Sequence, residues 1–259
     1  MVKFMDIKNL TFSYDKKKPF IELNQLTIKD SKITTIIGPN GSGKSTLLGL
    51  IAGHLKAHSG EVLLDDVNIH QISAKERAKK IAVVHQQNEA PEHYTVRQLV
   101  KIGRYPYRNK FGQNEEVDEQ IIDEAIEAAS LTAEEERFVY QLSGGQRQRA
   151  WLALAFAQQS DYLLLDEPTT YLDLHHQLDL LARVEEKNKT QNQTIVMVLH
   201  DLNQALQYSD EIIVMDGGRI IAQGEPFEVM TPEFIHKVFK LNVLFFEDPN
   251  GVKHLINIK

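Results

Sequence analysis

The segment GPNGSGKST, at positions 38 to 46, combines three glycines with a lysine and hydroxyl side chains. It follows the apolar run ITTII and precedes the helix-forming run LLGLIAG. Glycine costs conformational entropy on folding, so this clustering indicates positive φ angles or a close backbone approach. The spacing of Gly38, Gly43, Lys44 and Ser45 matches a phosphate loop, whose amides surround phosphates while its lysine reaches the terminal ones. The alternative is a glycine-rich turn with a chance lysine.

The phosphate loop predicts both a nucleotide and a metal ion as ligands. The following helix directs its unpaired N–H groups and the positive end of its dipole toward the loop. The hydroxyl of Ser45 is predicted to hold Mg²⁺, a hard cation that prefers oxygen ligands. The residues assigned to nucleotide binding in this segment are Gly38, Pro39, Asn40, Gly41, Ser42, Gly43, Lys44, Ser45 and Thr46.

Polar side chains also follow three other predicted strands. Gln86 follows IAVVH, Asp166 and Glu167 end YLLLDE, and His200 ends TIVMVLH. Ligands of a parallel sheet bind beyond the carboxyl ends of its strands, so these side chains are candidates for one hydrolytic site. Asp166 is predicted to hold Mg²⁺, and Glu167 to accept a proton from an attacking water. Individually, these residues are also typical of ordinary sheet-edge polar groups and helix caps.

A second anion site is indicated by LSGGQRQRA at positions 142 to 150. Ser143 is at an N-cap position, two glycines expose backbone N–H groups, and a helix is predicted from Gln146 onward. The chain thus contains two helix starts suited to phosphate.

LSGGQ is the signature of the ABC-type ATPases, which the sequence resembles along nearly its whole length. The resemblance implies that Tyr14 stacks on adenine, unless it is an ordinary strand aromatic. It implies that Gln86 is the glutamine of the Q-loop and a Mg²⁺ ligand, with the adjacent Gln87 as the alternative. His200 corresponds to the switch histidine that contacts the γ-phosphate, and Asp173 to the aspartate of the D-loop.

In the ABC-type ATPases, the signature of one cassette closes over the nucleotide bound by another. The resemblance therefore implies a homodimer enclosing two ATP molecules. Tyr171 departs from the family's D-loop, which more often has a small residue there. The residues expected to reach the partner's nucleotide are Ser143, Gly144, Gly145, Gln146 and Asp173.

Within this family, three segments resemble the ATP-binding subunits of bacterial importers for iron-siderophore, haem and cobalamin complexes, and most closely the ferric-hydroxamate type. They are YTVRQLVKIGRYPYRNKFG at 94 to 112, DEPTTYLDLHHQLDLL and VLHDLNQAL. The resemblance implies integral membrane permease subunits as partners, an extracytoplasmic substrate-binding protein as an indirect partner, and a peripheral position on the cytoplasmic face of the membrane. The first segment also builds the helical subdomain. The alternative class is a soluble ABC ATPase acting on DNA, ribosomes or cluster assembly.

The composition narrows the classes of partner. The net charge is −7 and the sequence pI is near 5.8, whereas nucleic-acid-binding domains are usually basic, so no nucleic-acid partner is expected. The 259 residues include no cysteine, which excludes disulfides and thiolate metal sites. We find neither a signal-peptide core nor an apolar run long enough to span a bilayer.

Together the patterns predict an α/β fold: a P-loop NTPase of the ABC type, with a mainly parallel sheet, an N-terminal antiparallel β subdomain and an inserted helical subdomain near 95–160. We expect a single domain over 1–259, with a C-terminal helix and hairpin near 226–259. Capping boxes are predicted at Ser73 with Glu76 and at Thr95 with Gln98. The predicted buried helix faces comprise Val117, Ile121, Ala125 and Ala129, and then Leu174, Leu178, Leu181 and Val184.

Overall fold

The computed structural model describes residues 5–15, 19–86, 88, 91–108, 115–170 and 172–258. The chain divides into two compact units. The first comprises the chain up to Gln71 together with the chain from Val196 onward, and the second extends from Ile72 to Ile195. The organisation as a single domain with a helical subdomain near 95–160 stays a prediction. Gln87 and Tyr171 lie outside the described residues.

An antiparallel sheet forms from the N-terminal part of the first unit. Its strands are β1 (Met5–Phe12), β2 (Ile21–Ile28), β4 (Ser59–Leu64) and β5 (Val67–Asn68), in the order β2-β1-β4-β5. Buried and exposed residues largely alternate along β2, because one face of an antiparallel sheet packs on the core. The predicted antiparallel β subdomain is confirmed.

The second sheet of the first unit contains the strand that leads into the phosphate loop. This strand, β3 (Ile33–Ile37), is buried at every position and pairs in parallel with β9 (Glu211–Asp216). β9 pairs antiparallel with β10 (Arg219–Gly224), and β8 (Thr194–Val198), which begins in the second unit, neighbours β3. The two residues joining β9 to β10, Gly217–Gly218, both have positive φ and are called the glycine turn below.

The remaining elements of the first unit follow the sequence pattern closely. The predicted C-terminal helix begins after Thr231, whose hydroxyl accepts a hydrogen bond from Phe234 N, and the predicted hairpin turns at Asp248–Gly251. The elements are α1 (Lys44–Ile51), α7 (Leu202–Tyr208), α8 (Pro226–Val229), α9 (Pro232–Phe239), β11 (Val243–Glu247) and β12 (Lys253–Asn257).

The second unit combines helices with a parallel strand pair. Its strands, β6 (Ile81–Val84) and β7 (Tyr162–Asp166), pair in parallel, with Val84 opposite Leu165. Its helices are α2 (Ala74–Lys80), α3 (Val96–Lys101), α4 (Glu115–Ala128), α5 (Gly144–Ala157) and α6 (Leu174–Gln191). Short 3₁₀ turns occupy Ile102–Tyr107, Thr132–Glu134 and Val139–Gln141. The helical character predicted between Thr95 and Ser160 is thereby observed.

No helix in the described part of the chain combines the length and the apolar character needed to cross a bilayer.

Two predicted helix faces are partly wrong. Ala125 on α4 and Ala129 directly after it are buried as expected, but Val117 is 55 % exposed, and Ile122 and Ile126 are buried instead of Ile121. A helical period admits two apolar stripes one position apart, and packing selects one of them.

On α6, Leu181 and Val184 are buried as predicted, whereas Leu174 is 67 % and Leu178 39 % exposed. Leu180 completes the buried face, so the first turns of α6 lie outside the core.

One of the two predicted capping boxes forms. Thr95 and Gln98 exchange hydrogen bonds in both directions. Ser73 accepts a hydrogen bond from the backbone of Glu76 at 3.2 Å, but the Glu76 carboxylate accepts one from Lys79 Nζ at 2.8 Å. A lysine one turn later offers this carboxylate a charged partner, so α2 has an N-cap without the box.

Candidate functional site

The phosphate loop holds its lysine through two backbone carbonyls. Lys44 is the first residue of α1 and is 6 % exposed. Its Nζ donates to the carbonyl of Gly38 at 3.0 Å and to that of Pro39 at 3.1 Å. The ammonium group therefore lies against the backbone of the loop at the N-terminus of a helix, where the macrodipole also favours an anion.

Glycine is structurally required at two positions of the loop. Gly38 has φ +153°, and a Cβ there would lie 2.1 Å from the carbonyl oxygen of Met215 on β9. Gly43 has φ +101°, and a Cβ there would lie 2.5 Å from Cδ1 of Ile21 on β2. The loop thus packs directly on two strands of the first unit, and both glycines have a positive φ that residues with a side chain rarely adopt.

The loop also contains an orphaned polar atom. Ser42 is 2 % exposed, and its hydroxyl oxygen is buried without a hydrogen-bond partner among the described residues. Unpaired buried hydroxyls are unfavourable and call for an explanation such as an absent ligand.

Tyr14 lies beside the start of α1. Its hydroxyl is 2.8 Å from the hydroxyl of Thr46, and its ring centroid is 5.5 Å from that of Phe20. The side chain is nevertheless 67 % exposed, which leaves its ring open to a planar ligand.

His200 is exposed just beyond the end of β8. The preceding residue, Leu199, donates its N–H to the carbonyl of Ile36 on β3 at 3.3 Å. The histidine therefore leaves the sheet beside the strand that leads into the phosphate loop.

In the second unit, the ends of β6 and β7 bring an amide to a carboxylate. Gln86 Nε2 donates to Glu167 Oε2 at 2.5 Å, and the Thr170 hydroxyl donates to the same oxygen at 3.3 Å. Asp166, the last residue of β7, is half-buried. Glu167 has φ +49°, a left-handed conformation that is uncommon for glutamate and that recurs at functional sites.

The signature segment caps its helix through a complete capping box. Ser143 Oγ accepts from Gln146 N at 3.2 Å, and Gln146 Oε1 accepts from Ser143 N at 3.0 Å. α5 consequently begins at Gly144, two residues before the predicted start at Gln146, because the cap fixes the first turn. Ser143 and Gly144 are exposed.

The D-loop aspartate, Asp173, is the N-cap of α6. It contacts a histidine, His176, that the sequence interpretation missed. Asp173 Oδ1 accepts from His176 N at 3.0 Å and lies 2.7 Å from His176 Nδ1. The hydrogen bond from the His176 backbone is the largest cause that lowers the pKa of Asp173 below its usual value, and the hydrogen bond with the His176 imidazole is the second. A Cβ at Gly145 would lie 3.5 Å from both Leu172 and His176, so the D-loop and the signature are in contact. The signal available in the sequence was a histidine three residues after a capping aspartate.

Each unit thus carries a distinct set of the predicted site residues. The first unit carries the loop from Gly38 to Thr46, together with Tyr14 and His200. The second carries Gln86, Asp166, Glu167, Ser143, Gly144, Gly145, Gln146 and Asp173. Among the described residues, no group of three or more histidine and carboxylate side chains is suited to hold a metal on its own.

The fold and the loop define a P-loop nucleotide-binding protein. The sequence pattern of the family described as ABC transporter matches residues 22–170. The chain belongs to the ABC transporter family, and it is an ATP-binding ATPase of that family.

Two import ATP-binding proteins align with almost the whole of this chain. The petrobactin import ATP-binding protein FpuD of Bacillus anthracis is 46 % identical over 249 residues, covering 96 % of this chain and 91 % of the relative. The iron(3+)-hydroxamate import ATP-binding protein FhuC of Bacillus subtilis (strain 168) is 43 % identical over 249 residues, covering 96 % and 92 %. Among solved structures, an inward-facing transporter of the metal-chelate type has a chain with TM-score 0.84 and 27 % identity, covering 100 % of this chain and 98 % of that one.

Proposed function

We propose that this protein is the ATP-hydrolysing motor subunit of a bacterial importer for iron-siderophore complexes of the ferric-hydroxamate kind. The observation that carries the proposal is 43 % and 46 % identity, across almost the whole chain, to subunits named for hydroxamate and petrobactin import. The segments that resemble such importers in the sequence support the same assignment.

In this proposal, the first unit binds the nucleotide. The loop amides and the ammonium of Lys44 hold the phosphates, because both are positively polarised and lie at a helix N-terminus. The exposed ring of Tyr14 stacks on adenine, and His200 contacts the γ-phosphate. The orphaned hydroxyl of Ser42 gains its hydrogen-bond partner when phosphate binds.

Hydrolysis is assigned to the residues after β6 and β7. Glu167 accepts a proton from the attacking water, and a general base of this kind contributes about 100- to 10,000-fold to a rate. Gln86 donates to the Glu167 carboxylate in the structure, so it orients the base. The strained backbone of Glu167 aims its side chain away from the direction that a regular strand would give.

The donor set fits a magnesium ion better than a softer metal. The residues that would hold Mg²⁺ are Ser45, Gln86 and Asp166, which offer hydroxyl, amide and carboxylate oxygens. Magnesium prefers such hard donors and is usually bound by few protein groups together with substrate phosphates. When bound, Mg²⁺ neutralises negative charge on the phosphates.

A second copy of the chain completes the site in this proposal. Ser143, Gly144 and Asp173 are exposed, so a partner's nucleotide can reach the start of α5. The amides of Gly144 and Gly145 at the helix start, together with the positive end of the helix dipole, favour the partner's γ-phosphate there, as the start of α1 does for its own nucleotide. ATP binding therefore closes a homodimer around two nucleotides.

The other partners are integral membrane permease subunits, with an extracytoplasmic substrate-binding protein acting through them. The chain is then peripheral on the cytoplasmic face of the membrane. We assign the segment that follows Gln86 to permease contact. From the sequence alone, Glu92 and Tyr107 are the positions in this segment to choose for crosslinking. In the structure, Tyr107 is half-buried, with the Arg104 guanidinium 4.1 Å from its ring centroid, whereas Tyr105 is 70 % exposed. Tyr105 therefore replaces Tyr107 as the crosslinking position.

Cysteine crosslinking tests the membrane partner, because the native chain has no cysteine. Single cysteines at Glu92 or Tyr105 are expected to crosslink to a permease subunit in native membranes, whereas a cysteine at Val117, which is exposed on α4, serves as the control. Recovery of the protein only in soluble complexes with ribosomes, DNA or cluster-assembly proteins, without membrane crosslinks, would favour the alternative class.

Uptake assays test the transported compound. A strain lacking this protein should lose uptake of ⁵⁵Fe-hydroxamate complexes, the wild-type gene should restore it, and Glu167→Gln should not. Uptake of haem, cobalamin and a catecholate siderophore is measured in parallel. Unchanged hydroxamate uptake together with loss of haem or cobalamin uptake would replace the proposed substrate class.

A further inference from the structure

The glycine turn between β9 and β10 is hydrogen-bonded to the phosphate loop. Gly218 N–H donates to the carbonyl of Ser42 at 3.0 Å, and its own carbonyl accepts from Glu22 N at 3.0 Å. One peptide segment therefore joins the loop on one side to the start of β2 on the other.

Steric contact makes this junction intolerant of side chains. A Cβ at Gly218, which has φ +78°, would lie 1.8 Å from the carbonyl oxygen of Phe20. A Cβ at Gly217, which has φ +52°, meets no atom within 4 Å. The two neighbouring glycines thus share a left-handed backbone but differ in what surrounds them.

The strand before the turn contacts the other end of the loop. The carbonyl oxygen of Met215 is 2.1 Å from the position that a Cβ of Gly38 would take, and the Met215 methyl is 3.6 Å from the corresponding position at Gly43. Met215 is completely buried. β9 therefore supports the loop at Gly38 through the Met215 carbonyl and at Gly43 through the Met215 side chain. Gly218 supports it at Ser42.

We propose that Gly218 is a positioning residue for nucleotide binding, holding the phosphate loop through the Ser42 carbonyl. The inference rests on the proposed function in one respect, the assignment of the Gly38–Thr46 loop to the phosphates. Because a peptide unit is planar, fixing the Ser42 carbonyl also fixes the direction of the Gly43 N–H, one of the loop amides assigned to the phosphates. The buried hydroxyl of Ser42 is then held within the same loop. A side chain at position 218 displaces the turn and releases this restraint.

Three alanine variants separate positioning from general stability. Gly218→Ala disrupts the turn at the loop, Gly217→Ala tests the same backbone without a clash, and Gly60→Ala creates an equivalent clash away from the loop. At Gly60, φ is +76° and a Cβ would lie 2.3 Å from the carbonyl oxygens of Asn9 and Lys8. The measurements are the dissociation constants of ATP and ADP and the thermal midpoint.

We expect Gly218→Ala to weaken ATP and ADP binding by roughly 10-fold, the effect of losing one hydrogen bond that orders the site. Gly218→Ala and Gly60→Ala should lower the thermal midpoint by similar amounts, but Gly60→Ala should leave nucleotide affinity within about twofold. Gly217→Ala, in which only the left-handed backbone is strained, should lower the thermal midpoint less and also leave the affinity within about twofold. Equal loss of affinity in Gly218→Ala and Gly60→Ala, or normal affinity in Gly218→Ala, would overturn the inference.

Amide hydrogen exchange on the wild-type protein gives a second test, which applies even if Gly218→Ala does not fold. Adding ADP should slow exchange at the Gly218 amide, whereas the Gly251 amide in the β11–β12 turn should exchange as before. Unchanged exchange at Gly218 would contradict the proposal. Lys44→Ala distinguishes the two hypotheses: normal affinity in that variant refutes the phosphate assignment, whereas lost affinity there with normal affinity in Gly218→Ala refutes only the positioning role.

Discussion

Replacing Glu167 with glutamine removes the proposed general base while leaving the surrounding hydrogen bonds possible. The glutamine oxygen still accepts from Gln86 Nε2 and from the Thr170 hydroxyl, the two donors that Glu167 Oε2 has now. The backbone strain at φ +49° is unchanged, because the substitution alters only the end of the side chain. We therefore expect the free energy of unfolding to change by no more than about 0.5 kcal/mol.

The effect on turnover should be far larger than the effect on stability. Loss of a general base lowers a rate by about 100- to 10,000-fold, which corresponds to about 2.7 to 5.5 kcal/mol of activation free energy. Binding of ATP should survive, because Lys44 and the phosphate loop are untouched. The variant should consequently accumulate in the ATP-bound state.

The assay is phosphate release by the purified protein at saturating ATP, with ATP binding and the thermal midpoint measured on the same samples. Glu136→Gln is the matched control, since this carboxylate is in the same unit and is 75 % exposed. Its turnover should equal that of the wild type. Turnover of Glu167→Gln within a factor of about five of the control would refute the role of Glu167 as the base.

Three further changes test other parts of the structure. Lys44→Ala should weaken ATP binding by about 10- to 100-fold, as expected for loss of a charged hydrogen-bond donor, measured by equilibrium titration. Ser143→Arg should leave monomers able to bind ATP but abolish ATP-driven pairing in a Glu167→Gln background, and light scattering that shows the same dimer with and without it would contradict the two-chain site. Arg183 donates two hydrogen bonds to Asp179 and lowers the pKa of that carboxyl, so the pair contributes stability above the ordinary pKa of aspartate and loses it as the pH falls through the lower folded-state pKa. Asp179→Asn should therefore cost about 0.5 kcal/mol at pH 7 and flatten the fall in unfolding free energy below pH 4.

The parts of the fold that depend on local sequence could be predicted. Gly217–Gly218 between two apolar runs is a hairpin signal, and the apolar run before Gly38 gives a fully buried strand. Capping residues such as Thr95 and Thr231 also fix helix starts by hydrogen bonds within a few residues.

The parts that depend on distant contacts could not be predicted. The sequence allows Leu174 and Leu178 to join the buried face of α6, yet both are exposed, since burial depends on what packs against each turn. The left-handed backbone of Glu167 has no local signal, because glutamate rarely adopts it. His176 reaches Asp173 only because α6 begins where it does.

The pairing of β6 with β7 explains how Gln86 reaches Glu167. Val84 lies opposite Leu165 in the parallel register, so continuing both strands by two residues brings position 86 opposite position 167. Gln86 and Glu167 are indeed hydrogen-bonded. Through this hydrogen bond, Gln86 joins the proposed hydrolytic carboxylate to the segment proposed to meet the permease.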